Sequence, residues 1–374
     1  MNSNDLQIWK NSWINVGQIS LWGYGQMGKI YLNALRNQYD IKCIIDNDLS
    51  KNGLNDKGIP VVHPDLTYIR NQKIVITTYY DQIKEQLTKQ GLKEYVDFCD
   101  VRTFISCISW FERKEIVLSK LHISITTACT LNCKYCNMYT PFHKKAPIMY
   151  SFEQIKEQLD SLFGVVNKVI RLVLLGGEPL LNRDLYKVID YLQSKYSKQF
   201  DMLEIVTNGT IIPDKSLIKA LQHPNILVSM SDYNLSQSYK DEFLKVKDSL
   251  TGNDINIMVN ANLEWKDFSF PYSNLNLSDE QAYINMNKCN PPFRGFNDFK
   301  FYFCHIVWSA DKAGIYKEKP TDYINFSTLT TEEKEKIVLM NICCFDNCYN
   351  SLCNACGGCS DLNNKFISTG EQAL

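Results

Sequence analysis

Short apolar runs, each followed by a polar turn and then by an amphipathic stretch, recur along the first two thirds of the chain. In the N-terminal part they fall at residues 18–22, 41–46, 59–62, 73–77 and 95–98, with helical periodicity after the first and across about 80–90. Strands alternating with helices predict parallel pairing through helical crossovers, here a small Rossmann-like doubly wound domain. Residues 103–118 break the alternation and are expected to link this domain to a second series. The second series begins at 121–127 and recurs at 171–175, 203–207, 226–230 and 255–259, with helical patterns over 152–165, 184–197 and 238–250. It predicts a partial (β/α)6 barrel of TIM type, open rather than closed. From about residue 276 the pattern becomes irregular, aromatic and cysteine-rich. The expected class is α/β, and the expected division is 1–115, 119–275 and 276–374.

Composition narrows the function classes. The chain is 45% hydrophobic and 22% charged, a globular balance. Its 40 Lys plus Arg against 41 Asp plus Glu leave a net charge of -1, so no global field recruits nucleic acid or an anionic membrane. No stretch approaches the length of a membrane span and the N-terminus has no export-signal pattern, so a cytoplasmic protein is expected. Fourteen cysteines in a chain of 374 residues without an export signal suggest metal or cluster ligation rather than disulfides. Cys43, Cys99 and Cys107 are scattered and read as small core residues.

The chemistry concentrates at strand ends. Cys129-Thr-Leu-Asn-Cys133-Lys-Tyr-Cys136 follows the apolar run 121–127 directly. Its thiols are thus expected on a loop at the catalytic face of the barrel. Three cysteines leave one coordination position open, whereas a structural zinc site normally uses four protein ligands. The next strands run into Gly176-Gly177-Glu178-Pro179, Asn208-Gly209-Thr210 and Ser229-Met230-Ser231. Taken together, these loops resemble the radical S-adenosylmethionine (SAM) superfamily over roughly residues 119–265. The resemblance implies that Cys129, Cys133 and Cys136 hold a [4Fe-4S] cluster whose remaining iron binds SAM. It also implies that Tyr135 packs near the adenine, that Gly176, Gly177 and Glu178 receive the methionine amino group, and that Asn208, Ser229 and Ser231 make further SAM contacts. Reductive cleavage of SAM to a 5′-deoxyadenosyl radical, with flavodoxin or ferredoxin as electron donor, is the implied activity.

The tail carries Cys289 and Cys304, then Cys343, Cys344, Cys348, Cys353, Cys356 and Cys359. A long β-hairpin with Cys289 and Cys304 at its ends is expected. The segment resembles the SPASM and twitch extensions, which implies an auxiliary [4Fe-4S] cluster on Cys289, Cys304, Cys353 and Cys356. The remaining four are spare or alternative ligands, and a zinc knob is the competing reading.

Near the N-terminus, Gly23-x-Gly25-x-x-Gly28 follows a strand and opens a helix, with Asp46 ending the next strand as in the dinucleotide fingerprint. Three roles are open for this domain: holding the nucleotide of a nucleotide-sugar, binding NAD, or acting as a structural module. No histidine stands out as a catalyst, and His122, His143 and His305 read as packed residues. The expected function is oxidation or epimerisation of a small-molecule sugar or nucleotide-sugar. A peptide or protein maturase is the first alternative, and a non-catalytic zinc or nucleotide-binding scaffold the second.

Overall fold

The computed structural model describes residues 1–65, 69–78, 80–261, 264–289, 293–330, 333–344, 350–359 and 363–373. Cys348, one of the spare cysteines, lies outside the described residues. Two compact units emerge, residues 1–119 with 338–346, and residues 120–337 with 347–374. The segment 276–374 is therefore not a unit of its own.

In the first unit a six-stranded sheet runs in the order β3 (Asn55–Asp56), β4 (Ile59–Val62), β2 (Asp40–Ile45), β1 (Gln18–Trp22), β5 (Ile74–Ile76), β6 (Phe98–Asp100). β1 pairs in parallel with both β2 and β5, as the doubly wound pattern requires. Trp22, Ile45, Ile74, Ile76, Leu87 and Phe98 form its core, and Cys43, Cys99 and Cys107 are buried as expected. Residues 103–118 are not merely a connection, because most of that segment lies in the helix Val101–Arg113, capped by Asp100 accepting from Thr103 N. Every residue from Thr103 to Trp110 in this helix is buried. Arg102, Ser106, Ser109 and Arg113 recur at helical spacing, but Ser106 and Ser109 are buried with the apolar residues, so this is a core helix rather than a solvent-facing one.

Residues 338–346 also belong to this unit. Asn341 Nδ2 donates to Ser106 Oγ at 2.7 Å, and an Arg102 guanidinium nitrogen approaches Cys343 Sγ at 3.8 Å. Cys343 and Cys344 are buried here. Of the two roles left open for them, spare or alternative ligands, they take the spare one, buried in the first unit apart from the other tail cysteines.

The second unit holds an eight-stranded sheet in the order β11 (Ile257–Asn260), β10 (Ile226–Ser231), β9 (Phe200–Thr207), β8 (Lys168–Gly176), β7 (Val117–Thr126), β13 (Gly295–Asn297), β14 (Lys300–Tyr302), β15 (Tyr323–Asn325). β7 enters this unit at Lys120. Helices Phe152–Phe163, Leu185–Tyr196, Lys215–Leu221 and Gln237–Thr251 link the strands from β7 to β11. The first starts with a reciprocal cap between Ser151 and Gln154 and buries Ile155, Leu159 and Leu162 against the sheet. Parallel strands with crossover helices and no closure give the expected partial TIM-type barrel. The hairpin is shorter than expected: β13 and β14 have three residues each, and β13 adds in parallel to β7 by pairing Gly295 with His122.

Register decides which side chains enter the lumen. Val173 pairs with Glu204, and Val206 with Ser229. One face of the sheet thus carries residues 171, 173 and 175, then 204, 206 and 208, then 229 and 231. Lys120 and His122 bring the same alternation to β7.

Candidate active site

Cys129, Cys133 and Cys136 lie in one loop beyond the end of β7, and all three line a cavity of about 260 Å3 inside the second unit. Gly176, Gly177, Thr207, Asn208, Ser231, Tyr233 and Trp265 share its wall. Backbone contacts lock the loops together. Gly177 N donates to Thr126 O at 2.9 Å and Glu178 N to Ala128 O at 2.7 Å. A Cβ on Gly177 would stand 2.1 Å from Ala128 O, so only glycine permits this approach.

Each sulfur has a donor within reach. Cys129 Sγ faces Leu131 N at 3.4 Å and Asn208 Nδ2 at 3.5 Å. Cys133 Sγ faces Gln372 Nε2 at 3.4 Å, and Cys136 Sγ lies 3.3 Å from Thr140 Oγ1. Burial, the leading cause in both cases, pushes the Cys129 thiol up to about 12 and Cys133 to about 11. Thiols in that state need a metal to become thiolates, and donors aimed at sulfur suit a thiolate-bound cluster. Three cysteines on one cavity wall, each with a donor near its sulfur, thus fit a thiolate-held cluster.

Residues 370–373 strap this loop. Ala373 N donates to Asn132 O at 2.7 Å, Lys134 N to Glu371 O at 2.7 Å, and Asn132 N to Gln372 Oε1 at 2.7 Å. Gln372 was invisible to sequence reading, because nothing in the local pattern ties position 372 to position 133.

Three of the expected SAM-contacting residues are placed differently from what the motifs implied. The Glu178 side chain is fully buried and does not line the cavity. Its carboxylate accepts from Asn208 N at 2.8 Å, Leu180 N at 3.0 Å and Thr207 Oγ1 at 2.9 Å, bolting one strand-end loop to the next. Ser229 is turned onto Glu204 Oε1 at 2.5 Å, while Ser231 faces the cavity. Tyr135 stands edge-on to Tyr272 at 5.3 Å, outside the cavity wall.

Glu178 gives a pH prediction. Desolvation outweighs its three hydrogen bonds and raises the carboxyl from 4.5 to about 7. A raised folded value means that its favourable contribution is complete below about pH 4.5 and is lost as pH climbs toward 7. The full span is worth about 3 kcal/mol. Glu178→Gln cannot titrate and sets an NH2 against a backbone donor, costing about 1–3 kcal/mol in the acid range. Denaturant melts should show the variant's deficit shrinking as pH rises through this window. A deficit independent of pH would contradict the assignment.

Elsewhere in the unit, Cys289, Cys304, Cys353, Cys356 and Cys359 gather. Cys289 caps the helix Asp279–Lys288, and Cys304 caps His305–Lys312. Cys353 and Cys356 lie on and just after the short turn Ser351–Asn354. Charges on Cys289, Cys304 and Cys356 all bear on Cys353, and burial pushes Cys304 up to about 12. Cys359 joins them, its backbone N donating to Cys289 Sγ at 3.3 Å. Tyr139 packs in the same apolar cluster as Cys304 and Cys356, and its buried hydroxyl has no hydrogen-bond partner among the described residues. An electron-rich sulfur would satisfy it, so this cysteine set also fits a cluster.

The remaining expected residues are structural in their visible contacts. A Cβ on Gly28 would meet Gly23 O at 2.0 Å, while Gly25 caps the helix Gln26–Leu35 through backbone alone. Asp46 is occupied by Tyr24 N at 2.7 Å and by Lys51 Nζ at 3.1 Å. His143 Nε2 meets Ser309 Oγ at 3.0 Å and His305 Nε2 meets Asn297 Oδ1 at 2.8 Å, both as packed residues.

Known proteins share parts of this chain. Residues 123–246 match the family described as Radical SAM superfamily, and residues 16–96 match one described as C2185-like, N-terminal. The chain is 35% identical over 101 residues to a GTP 3',8-cyclase of Campylobacter lari, covering 27% of this chain and 30% of that protein. It is 23% identical over 218 residues to the radical SAM cyclopropyl synthase TigE of Paramaledivibacter caminithermalis, covering 53% and 44%. These matches span less than half the length of either relative. Among solved structures, native anSMEcpe with bound AdoMet aligns with a TM-score of 0.40 at 13% identity, covering 68% of this chain and 92% of that one.

Proposed function

From the premise that this chain is a radical SAM superfamily enzyme, carrying a [4Fe-4S] cluster with SAM in the domain of residues 123–246, we propose that it oxidises or epimerises a small sugar or nucleotide-sugar. Cys129, Cys133 and Cys136 hold the cluster in this reading. Once bound, the cluster and SAM supply a 5′-deoxyadenosyl radical that takes a hydrogen atom from a substrate carbon. Asn208 orients the Cys129 thiolate, Gln372 does the same for Cys133, and Gly176, Gly177, Ser231 and Tyr233 form the wall for SAM. Glu178 holds that wall together rather than touching the ligand. Cys289, Cys304, Cys353 and Cys356 hold an auxiliary cluster, with Cys359 as the alternative ligand. Flavodoxin or ferredoxin supplies the electron.

The observation that carries the substrate class is the cavity. Beyond the cysteines and the wall for SAM, its lining includes the polar side chains of Lys120 and His122, which offer charge and hydrogen bonds to a compact polar molecule. Two experiments test the proposal. Anaerobically reconstituted protein is expected to bind about eight irons with matching sulfide, and about four irons plus zinc would remove the auxiliary cluster. Turnover with carbon-deuterated nucleotide-sugars should place deuterium in 5′-deoxyadenosine. Transfer from a peptide and from no sugar would overturn the substrate class in favour of a maturase.

A further inference from the structure

Lys120 occupies an unusual position for a lysine. It stands on β7 two residues before His122, on the face that lines the same cavity as the three cysteines. Nearby charges are already balanced. Arg171 pairs with Glu204, whose other oxygen accepts from Ser229, so the one carboxylate of this layer is taken. Among the described residues no carboxylate lies within ion-pair distance of Lys120 Nζ. Apart from the three cysteines, this face of the lumen thus carries two cationic side chains, Lys120 and Arg171, against one anionic one, Glu204. His122 adds no charge: its Nδ1 meets Arg294 O at 2.7 Å, and burial followed by the Lys120 charge pushes its pKa well down. With Nδ1 donating, Nε2 is left as a neutral acceptor.

Lys120 is half-buried and faces the cavity, and a partly desolvated cation without an ion-pair partner is stabilised by an incoming anion. We propose that Lys120 is the binding residue for an anionic oxygen group, phosphate or carboxylate, carried by the substrate, with His122 Nε2 accepting from a neighbouring substrate hydroxyl. The proposal rests on the reading of this cavity as the substrate site and narrows the substrate to an anionic, hydroxyl-bearing molecule. Burial first, then Arg171, lowers the Lys120 ammonium to about 8, with Glu204 opposing them. The charge is therefore present at neutral pH and fades above about 8.

Isothermal titration of anaerobically reconstituted protein with inorganic phosphate and, separately, with acetate provides the test. Lys120→Met, which keeps length and removes charge, is expected to weaken binding by about tenfold or more, and Lys120→Arg to retain it within about threefold. Whichever anion shows the loss identifies the group. Acetate does not change its own charge near pH 8, so a wild-type acetate affinity that falls above that pH further supports Lys120. Equal affinity in wild type and Lys120→Met, or no binding of either anion to wild type, overturns the proposal. Iron content and circular dichroism establish that the Met variant is folded, and the Arg variant supplies the control if it is not. Reductive SAM cleavage by the wild type is read separately, so failure of the radical SAM reading is distinguishable from failure of this one.

Discussion

Cys133→Ala is expected to lose about four irons per chain and to reduce SAM cleavage on the order of 10³-fold or more. Cys133 is the most buried of the three loop cysteines, at 6% exposure, and Gln372 approaches its sulfur from residues 370–373. Alanine offers no ligand atom in place of the thiolate, and the cavity lining contains no carboxylate among the described residues. Iron and sulfide analysis together with 5′-deoxyadenosine formation checks the result. The protein should stay folded, since the loop's backbone bonds to Glu371 and Ala373 do not involve the cysteine side chain. Full iron with full SAM cleavage would remove Cys133 from the ligand set.

How much of this was legible in the sequence depended on the range over which each feature is encoded. The strands, the crossover helices and the three strand-end motifs are local patterns and fall near their expected places, except that the strand expected at 95–98 lies at Phe98–Asp100. The helix Val101–Arg113 was missed although Arg102, Ser106, Ser109 and Arg113 mark its period, because two of the four are small hydroxyls in an otherwise apolar run. Glu178 and Ser229 were found, but their direction was not. A motif specifies the loop, while the partners that claim the side chain, Asn208 N for one and Glu204 for the other, come from neighbouring strands. His122 reads as a packed residue in the sequence, and only the structure puts it, with Lys120, on the lumen face. The tail cysteines show the same limit: spacing could not separate Cys343 and Cys344, which fold into the first unit, from Cys359, which returns to Cys289.

Gly177→Ala should separate assembly of the barrel from assembly of the site. The added methyl would lie 2.1 Å from Ala128 O, 2.5 Å from Ala128 C and 2.8 Å from Thr127 O, all backbone atoms. No rotamer relieves a backbone clash, so the strand-end loops must part. Overpacking of this kind costs about 1–3 kcal/mol or more. The displaced residue, Ala128, precedes Cys129, so the strain is delivered to the first cysteine of the loop. Parting also breaks the bonds from Gly177 N to Thr126 O and from Glu178 N to Ala128 O, which pulls Glu178 away from Asn208 and so unsettles the donor that faces Cys129 Sγ. The sheet register from β8 to β10 needs none of these contacts. Far-ultraviolet circular dichroism is therefore expected to remain that of the wild type, while iron retention and SAM binding fall by about tenfold or more. A variant with wild-type SAM affinity would mean that the two loops are free to separate without consequence, and that the tight approach at Gly177 serves packing alone.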